Sequence, residues 1–209
     1  MARARTVFWD VDTQADFMLP GGKLYVPGAE KIIPNLAALI ATAQRYAIFV
    51  VSSADAHTPT DEEFSLYPPH CIAGTPGQAK LPETLLPRRA LIPNRPAALP
   101  AFAALDQVVV EKQKLDVFTN PNTEALLKQL GRETDFVVFG VVTEICVAQA
   151  ARGLLDRGYR LRLVRDAVES LDRAQAQALL DEVERRGSQI VTTAEVQEEL
   201  ESGGRGRST

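Results

Sequence analysis

The sequence predicts a doubly wound, three-layer α/β domain with a mainly parallel sheet of five to six strands. Short, continuous, β-branched apolar runs alternate with longer stretches whose apolar residues recur at helical spacing. Those runs lack polar alternation, as expected when helices cover both faces of a sheet. The 209 residues, 45% of them hydrophobic, suffice for one substantial core, and no internal repeat divides them. Residues 1–202 therefore read as one domain and residues 203–209 as a disordered tail.

The elements follow in order. Thr6 to Asp12 is a first strand with Asp10 and Asp12 at its C-terminal end. A Gly/Pro-punctuated loop follows. Glu30 to Arg45 is a helix with Ile32, Ile33, Leu36, Leu39 and Ile40 on one face, and Pro34 is tolerable only in its first turn. Ala47 to Ser52 is a second strand. A long irregular stretch from Ser53 to about Pro100 holds both histidines, with a short helix around Pro82 to Leu86. Insertions of that length in a compact domain are usually functional. Gln107 to Glu111 is a strand, Asn122 to Leu130 a helix, and Phe136 to Phe139 a buried strand ended by Gly140. Thr143 can cap the next helix, which places Cys146 in its first turn, where free N–H groups and the helix dipole favour a thiolate. Arg160 to Val164 and Gln189 to Val191 are strands. Arg173 to Arg186 and Ala194 to Leu200 are helices.

Composition excludes several classes. The 23 basic and 27 acidic residues give a net charge of −4, with no basic stripe for nucleic acid. Two cysteines do not make a disulfide framework. The N-terminus turns acidic too early for a signal peptide, and no apolar run approaches the roughly 20 residues of a membrane span. A cytoplasmic protein that contacts neither nucleic acid nor membrane is expected.

Two constellations carry chemistry. Asp12, Lys112 and Cys146 fall at strand C-terminal ends, where an open α/β sheet gathers its ligands. A carboxylate can take the thiol proton and a cation can stabilise the thiolate. Lys114 competes with Lys112, and Asp10 and Asp16 compete with Asp12; Cys146 can equally be a small buried hydrophobe. Asp55, His57 and His70 form the second set, suited to zinc, iron or manganese, and Glu63 could add a fourth ligand. Cys71 points away from its neighbour His70 and reads as a buried structural cysteine. Phe17 and Tyr67 are the aromatics nearest these sites, able to pack in the core or stack on a flat ring.

The motifs DVDTQADF, SSADAHTPTDEEF, YPPHCIAGTPG, VVVEKQKLDVF and GVVTEICV, in this order, resemble the isochorismatase-like cysteine hydrolases, most closely the nicotinamidase branch. The resemblance spans about Thr6 to Thr192. It implies the isochorismatase-like hydrolase fold, with Asp12 rather than Asp16 as catalytic acid/base. Lys112, six residues before Phe118, is implied as the lysine, and Cys146 as the nucleophile. It further implies a cis Val141–Val142 peptide, an oxyanion hole from the Val142 and Cys146 amides, and substrate stacking on Phe17 and Tyr67. Metal ligation by Asp55, His57 and His70, with Glu63 in some members, is implied too, as is assembly into homo-oligomers. The activity implied is hydrolysis of nicotinamide to nicotinate and ammonia, a step of NAD salvage, through a Cys thioester. Ala56, where the branch usually carries an aromatic, and Thr143-Glu144, where it often has Thr-Asp, leave room for another small amide or carbamoyl substrate. A silent metal- or ligand-binding protein is the remaining alternative.

Overall fold

The computed structural model describes residues 5–205. Its strands are β1 (Arg5–Val11), β2 (Phe49–Asp55), β3 (Arg89–Ile92), β4 (Gln107–Lys112), β5 (Thr134–Val141), β6 (Arg160–Glu169) and β7 (Gln189–Val191). They form one sheet in the order β3-β4-β2-β1-β5-β6-β7, and every neighbouring pair is parallel. The sheet thus has seven strands, not five or six. The additional one, β3, has only four residues and sits at an edge with Leu91 exposed, so it carries no continuous apolar run to read.

The helices are α1 (Ala15–Met18), α2 (Ile33–Arg45), α3 (Thr123–Leu130), α4 (Ala148–Asp156), α5 (Arg173–Arg185) and α6 (Thr193–Arg205). Strand residues send alternate side chains to two cores. Val7, Trp9, Phe136 and Val138 face Leu126 of α3, Leu154 of α4 and Leu179 of α5. Phe8, Val50, Val137 and Phe139 face Leu36 and Leu39 of α2 and Val196 of α6. Pro34 sits in the first turn of α2, where its missing N–H is not needed. Among the described residues no helix is long and apolar enough to cross a membrane.

Three local expectations are corrected. The helix near Pro82 is a single 3₁₀ turn, Pro82–Thr84. Helix α6 runs to Arg205, into the tail expected to be disordered; residues 206–209 lie outside the described residues. Thr143 does not cap a helix. The chain passes from β5 through a π turn, Thr143–Val147, into α4, and the Thr143 hydroxyl donates to the Glu169 carbonyl at 2.8 Å. Gly140 has φ +121°, and a Cβ there would lie 2.0 Å from the Val11 carbonyl oxygen. Only glycine lets β5 pass β1 that closely.

Candidate active site

Four adjacent strands, β4-β2-β1-β5, deliver the chemistry at their C-terminal ends. Asp12 follows β1, Asp55 ends β2, Lys112 ends β4, and Cys146 lies on the turn after β5. Asp12 adopts φ +49°, a left-handed conformation that aspartate tolerates better than most side chains. Its Oδ1 accepts the Ser53 hydroxyl at 2.6 Å, and its Oδ2 lies 2.9 Å from Lys112 Nζ. Lys112 Nζ also stands 3.6 Å from Cys146 Sγ and pairs tightly with Asp55 Oδ1. Asp55 and Lys112 are register partners in the β2–β4 ladder, so neighbouring strands set this pair.

The structure separates the competing residues. Lys114 is exposed and pairs with Glu62. Asp10 pairs instead with buried Lys80 at 2.9 Å and accepts the Ser52 and Thr13 hydroxyls. Asp16 caps backbone, accepting the Lys23 N–H at 3.0 Å and the Cys71 N–H at 2.7 Å. Cys71 is fully buried at φ +43°, with its sulfur directed toward the Gly77 carbonyl.

Electrostatics correct one expectation. Burial pushes the Cys146 thiol well above its ordinary pKa; Lys112 opposes this, while Asp12 and Asp55 add to it. Burial thus favours the neutral thiol, the opposite of the direction expected from its place in the turn. Burial also raises the Asp12 carboxyl, against the pull of Lys112. Burial would lower the Lys112 ammonium, but Asp12 and Asp55 outweigh it and hold it well above its usual value.

The second constellation shares Asp55 with the first. Asp55 Oδ2 lies 3.8 Å from His57 Nε2 and 3.9 Å from His70 Nε2, and Glu63 Oε1 lies 3.8 Å from His70 Nε2. A parallel bridge between His57 and Ile72 folds the loop back and sets His70 beside His57. One ligand atom from each of Asp55, His57 and His70 falls within 4.8 Å of the others. Both ring nitrogens of His57 are buried without a hydrogen bond among the described residues; Nδ1 has the Asp61 carboxylate at 3.1 Å, and Nε2 faces Asp55. An orphaned imidazole nitrogen facing a carboxylate and a second imidazole fits a divalent metal.

A small, mostly apolar pocket opens onto both sets. Phe17, Leu24, Leu115, Ile145 and Leu171 wall it, with Tyr67, Glu63, His70, Asp55 and Cys146 among its lining. The Phe17 and Tyr67 rings lie 5.4 and 6.5 Å from that of His70. The Val141–Val142 peptide is cis, and Val142 lines the pocket.

Sequence reasoning missed several supports. Gln14 is buried and grips the Asp55 main chain from both sides, accepting its N–H at 2.6 Å and donating to its carbonyl at 2.8 Å. Its place two residues after Asp12 in DVDTQADF was the available signal. The Ser53 hydroxyl and the Lys80–Asp10 pair left no such trace.

The isochorismatase domain profile matches residues 7–195. An uncharacterized isochorismatase family protein of Bacillus subtilis is 30% identical over 168 residues, which is 78% of this chain and 85% of that protein. The nicotinamidase/pyrazinamidase of Mycobacterium tuberculosis is 26% identical over 191 residues, 88% of this chain and 97% of that one. The pyrazinamidase of Pyrococcus horikoshii in complex with zinc superposes with a TM-score of 0.73 at 27% identity, covering 90% of this chain and 99% of that one. With its seven-stranded parallel sheet and a match over nearly its whole length, the chain belongs to the isochorismatase family.

Proposed function

We propose that the protein is a metal-dependent cysteine amidohydrolase acting on a small planar carboxamide, with nicotinamide as the best-fitting substrate. One observation carries this reading: a single ammonium, Lys112 Nζ, contacts Asp12, Cys146 and the metal-site carboxylate Asp55. The similarity to nicotinamidase/pyrazinamidase proteins supports the choice of substrate.

Asp12 takes the proton from Cys146 as the sulfur attacks. The sulfur adds to the amide carbon, and the Val142 and Cys146 N–H groups receive the developing oxyanion. Protonated Asp12 then gives its proton to the departing nitrogen. The C–N bond breaks, ammonia leaves and a thioester remains. Asp12, again a carboxylate, deprotonates a water that attacks the thioester. The C–S bond breaks, the acid is released, and Asp12 returns its proton to the Cys146 sulfur, which restores the thiol. Lys112 holds Asp12 and Asp55 beside the sulfur and offsets the negative charge that develops on it. Phe17 and Tyr67 sandwich the ring of the substrate. Asp55, His57 and His70, with Glu63 as a further donor beside His70, would hold a divalent ion, which would supply Lewis-acid chemistry next to the substrate ring; zinc, iron and manganese all suit this donor set.

The test is ammonia release from nicotinamide by purified protein, measured before chelation, after it, and after metal is restored. Activity that falls with chelation and returns with metal is expected. If wild-type protein that carries metal releases no ammonia from nicotinamide, that substrate is wrong, and a panel of small amides then decides the class.

A further inference from the structure

We infer that Asp61, which lies outside both constellations, is a positioning residue that aims two of the four metal ligands at one point. The inference rests on the metal reading above. Asp61 directs its two oxygens to two different ligands. Oδ2 stands 3.1 Å from His57 Nδ1. Oδ1 accepts the Glu63 backbone N–H at 3.0 Å and so caps the 3₁₀ turn Glu62–Ser65.

A carboxylate 3.1 Å from Nδ1 draws the His57 proton to that nitrogen, by charge and proximity rather than through an aligned hydrogen bond. That leaves the lone pair on Nε2, the buried nitrogen that faces Asp55 Oδ2 at 3.8 Å. His70 obtains the same polarity from backbone, with its Nδ1 2.8 Å from the Pro68 carbonyl, so both imidazoles present Nε2. The second contact fixes the turn that carries Glu63, whose Oε1 lies 3.8 Å from His70 Nε2. The rest of the turn is held by the Ser65 hydroxyl on the Glu62 carbonyl and by backbone bonds of Leu66 and Tyr67 to the Glu63 carbonyl, so the Asp61 cap is the one contact on the Glu63 N–H among the described residues. One carboxylate thus sets the tautomer of one ligand and the reach of another. Its side chain is 8% exposed, whereas that of its neighbour Glu62 is 92% exposed and directed away toward Lys114. Contacts of this kind to metal-bound histidines change affinity by roughly 10–100-fold.

The experiment is metal affinity of the full chain, read by competition between zinc and a chromophoric chelator. Asp61→Ala should bind zinc about 10–100-fold more weakly than wild type. Asp61→Asn keeps an acceptor oxygen and should fall between the two. Glu62→Gln removes the same charge from the same turn and should bind as wild type. In metal-free protein, long-range nitrogen–proton NMR should show His57 protonated at Nδ1 in wild type and a mixture of tautomers in Asp61→Ala. Circular dichroism establishes that each variant is folded; if Asp61→Ala is not, the Asp61→Asn comparison decides. Equal zinc affinity in wild type and folded Asp61 variants overturns the inference while leaving the metal site standing. Equal losses in Asp61→Asn and Glu62→Gln overturn it as well, since the effect would then be bulk charge. A wild-type chain that binds no zinc removes the metal reading and this inference together.

Discussion

Lys112 and Lys80 are two buried ammonium groups with different tasks. Lys112 touches the thiol, whereas Lys80 offsets Asp10 and donates to Thr13 Oγ1 and the Ser53 carbonyl. Removing one partner of such a pair leaves a buried charge uncompensated. Lys80→Met should therefore destabilise the fold by about 3–5 kcal/mol in urea unfolding. Lys80→Met combined with Asp10→Asn should recover most of that loss; a double variant as weak as the single one would show that Lys80 acts through packing. Cys146→Ala removes the sulfur but none of the metal donors. Turnover should fall to background while elemental analysis still finds metal, and surviving turnover would remove Cys146 as the nucleophile. Asp12, Lys112 and Cys146 were legible because each ends a readable strand or opens the next turn. The direction of the thiol shift was not, because it comes from three elements packed together rather than from the turn alone.

At the scale of elements, the readable pieces were those with long apolar faces. Strands β1, β2, β4 and β5 and helices α2, α3 and α5 lie within a few residues of their sequence-based bounds. Strand β3 and the π turn at Thr143 escaped, since an exposed four-residue edge and a widened helical turn have no periodic signature. Glu144 ties that turn to the start of α5 by accepting the N–H groups of Leu171 and Asp172 at 2.8 and 2.7 Å. Asp172 in turn caps α5, accepting the N–H groups of Ala174 and Gln175. Its hydrogen bonds to Gln175 and the neighbouring backbone hold its carboxyl below the usual aspartate range. A lowered carboxylate stabilises above its unfolded pKa, and the benefit is lost as pH falls through the folded one. Asp172→Ala should lower Tm at neutral pH, and the gap from wild type should close in acid below the ordinary aspartate pKa. A gap of constant size across pH would mean that the cap acts through shape and not charge.

For the whole molecule, the sheet order makes the site. Strand β1 lies between β2 and β5, and the chain changes direction across it, so a crevice opens above the ends of these strands. The excursion between β2 and β4 returns to this crevice through His57, Glu63 and His70. A metal bound there would link segments distant from one another in the chain and would bind the folded state alone. At a free concentration of about 100 times Kd it should add about 2.7 kcal/mol. For a chain of this size that raises Tm by roughly 5–10 °C, which calorimetry with and without chelator can read. A Tm unmoved by chelation, with metal shown to have left, would argue that the ligands are prearranged by other contacts. The parallel class of the sheet was readable from its apolar runs. The sharing of Asp55 was not, because it depends on the register of β2 with β4.

That sharing has a genetic consequence. The two oxygens of Asp55 face opposite ways, one to Lys112 and one to the imidazoles. A His70→Asn change would remove a metal donor but no counter-charge of Lys112, so added metal should restore part of the activity by mass action. Asp55→Asn withdraws a ligand and a counter-charge of Lys112 at once, and no metal concentration should restore it. Activity measured against added zinc for the two variants checks this, and recovery of Asp55→Asn would mean its carboxylate serves the metal only. Damage at Asp55 is then epistatic to damage at either constellation, and a suppressor that repairs only one of them leaves the phenotype unchanged.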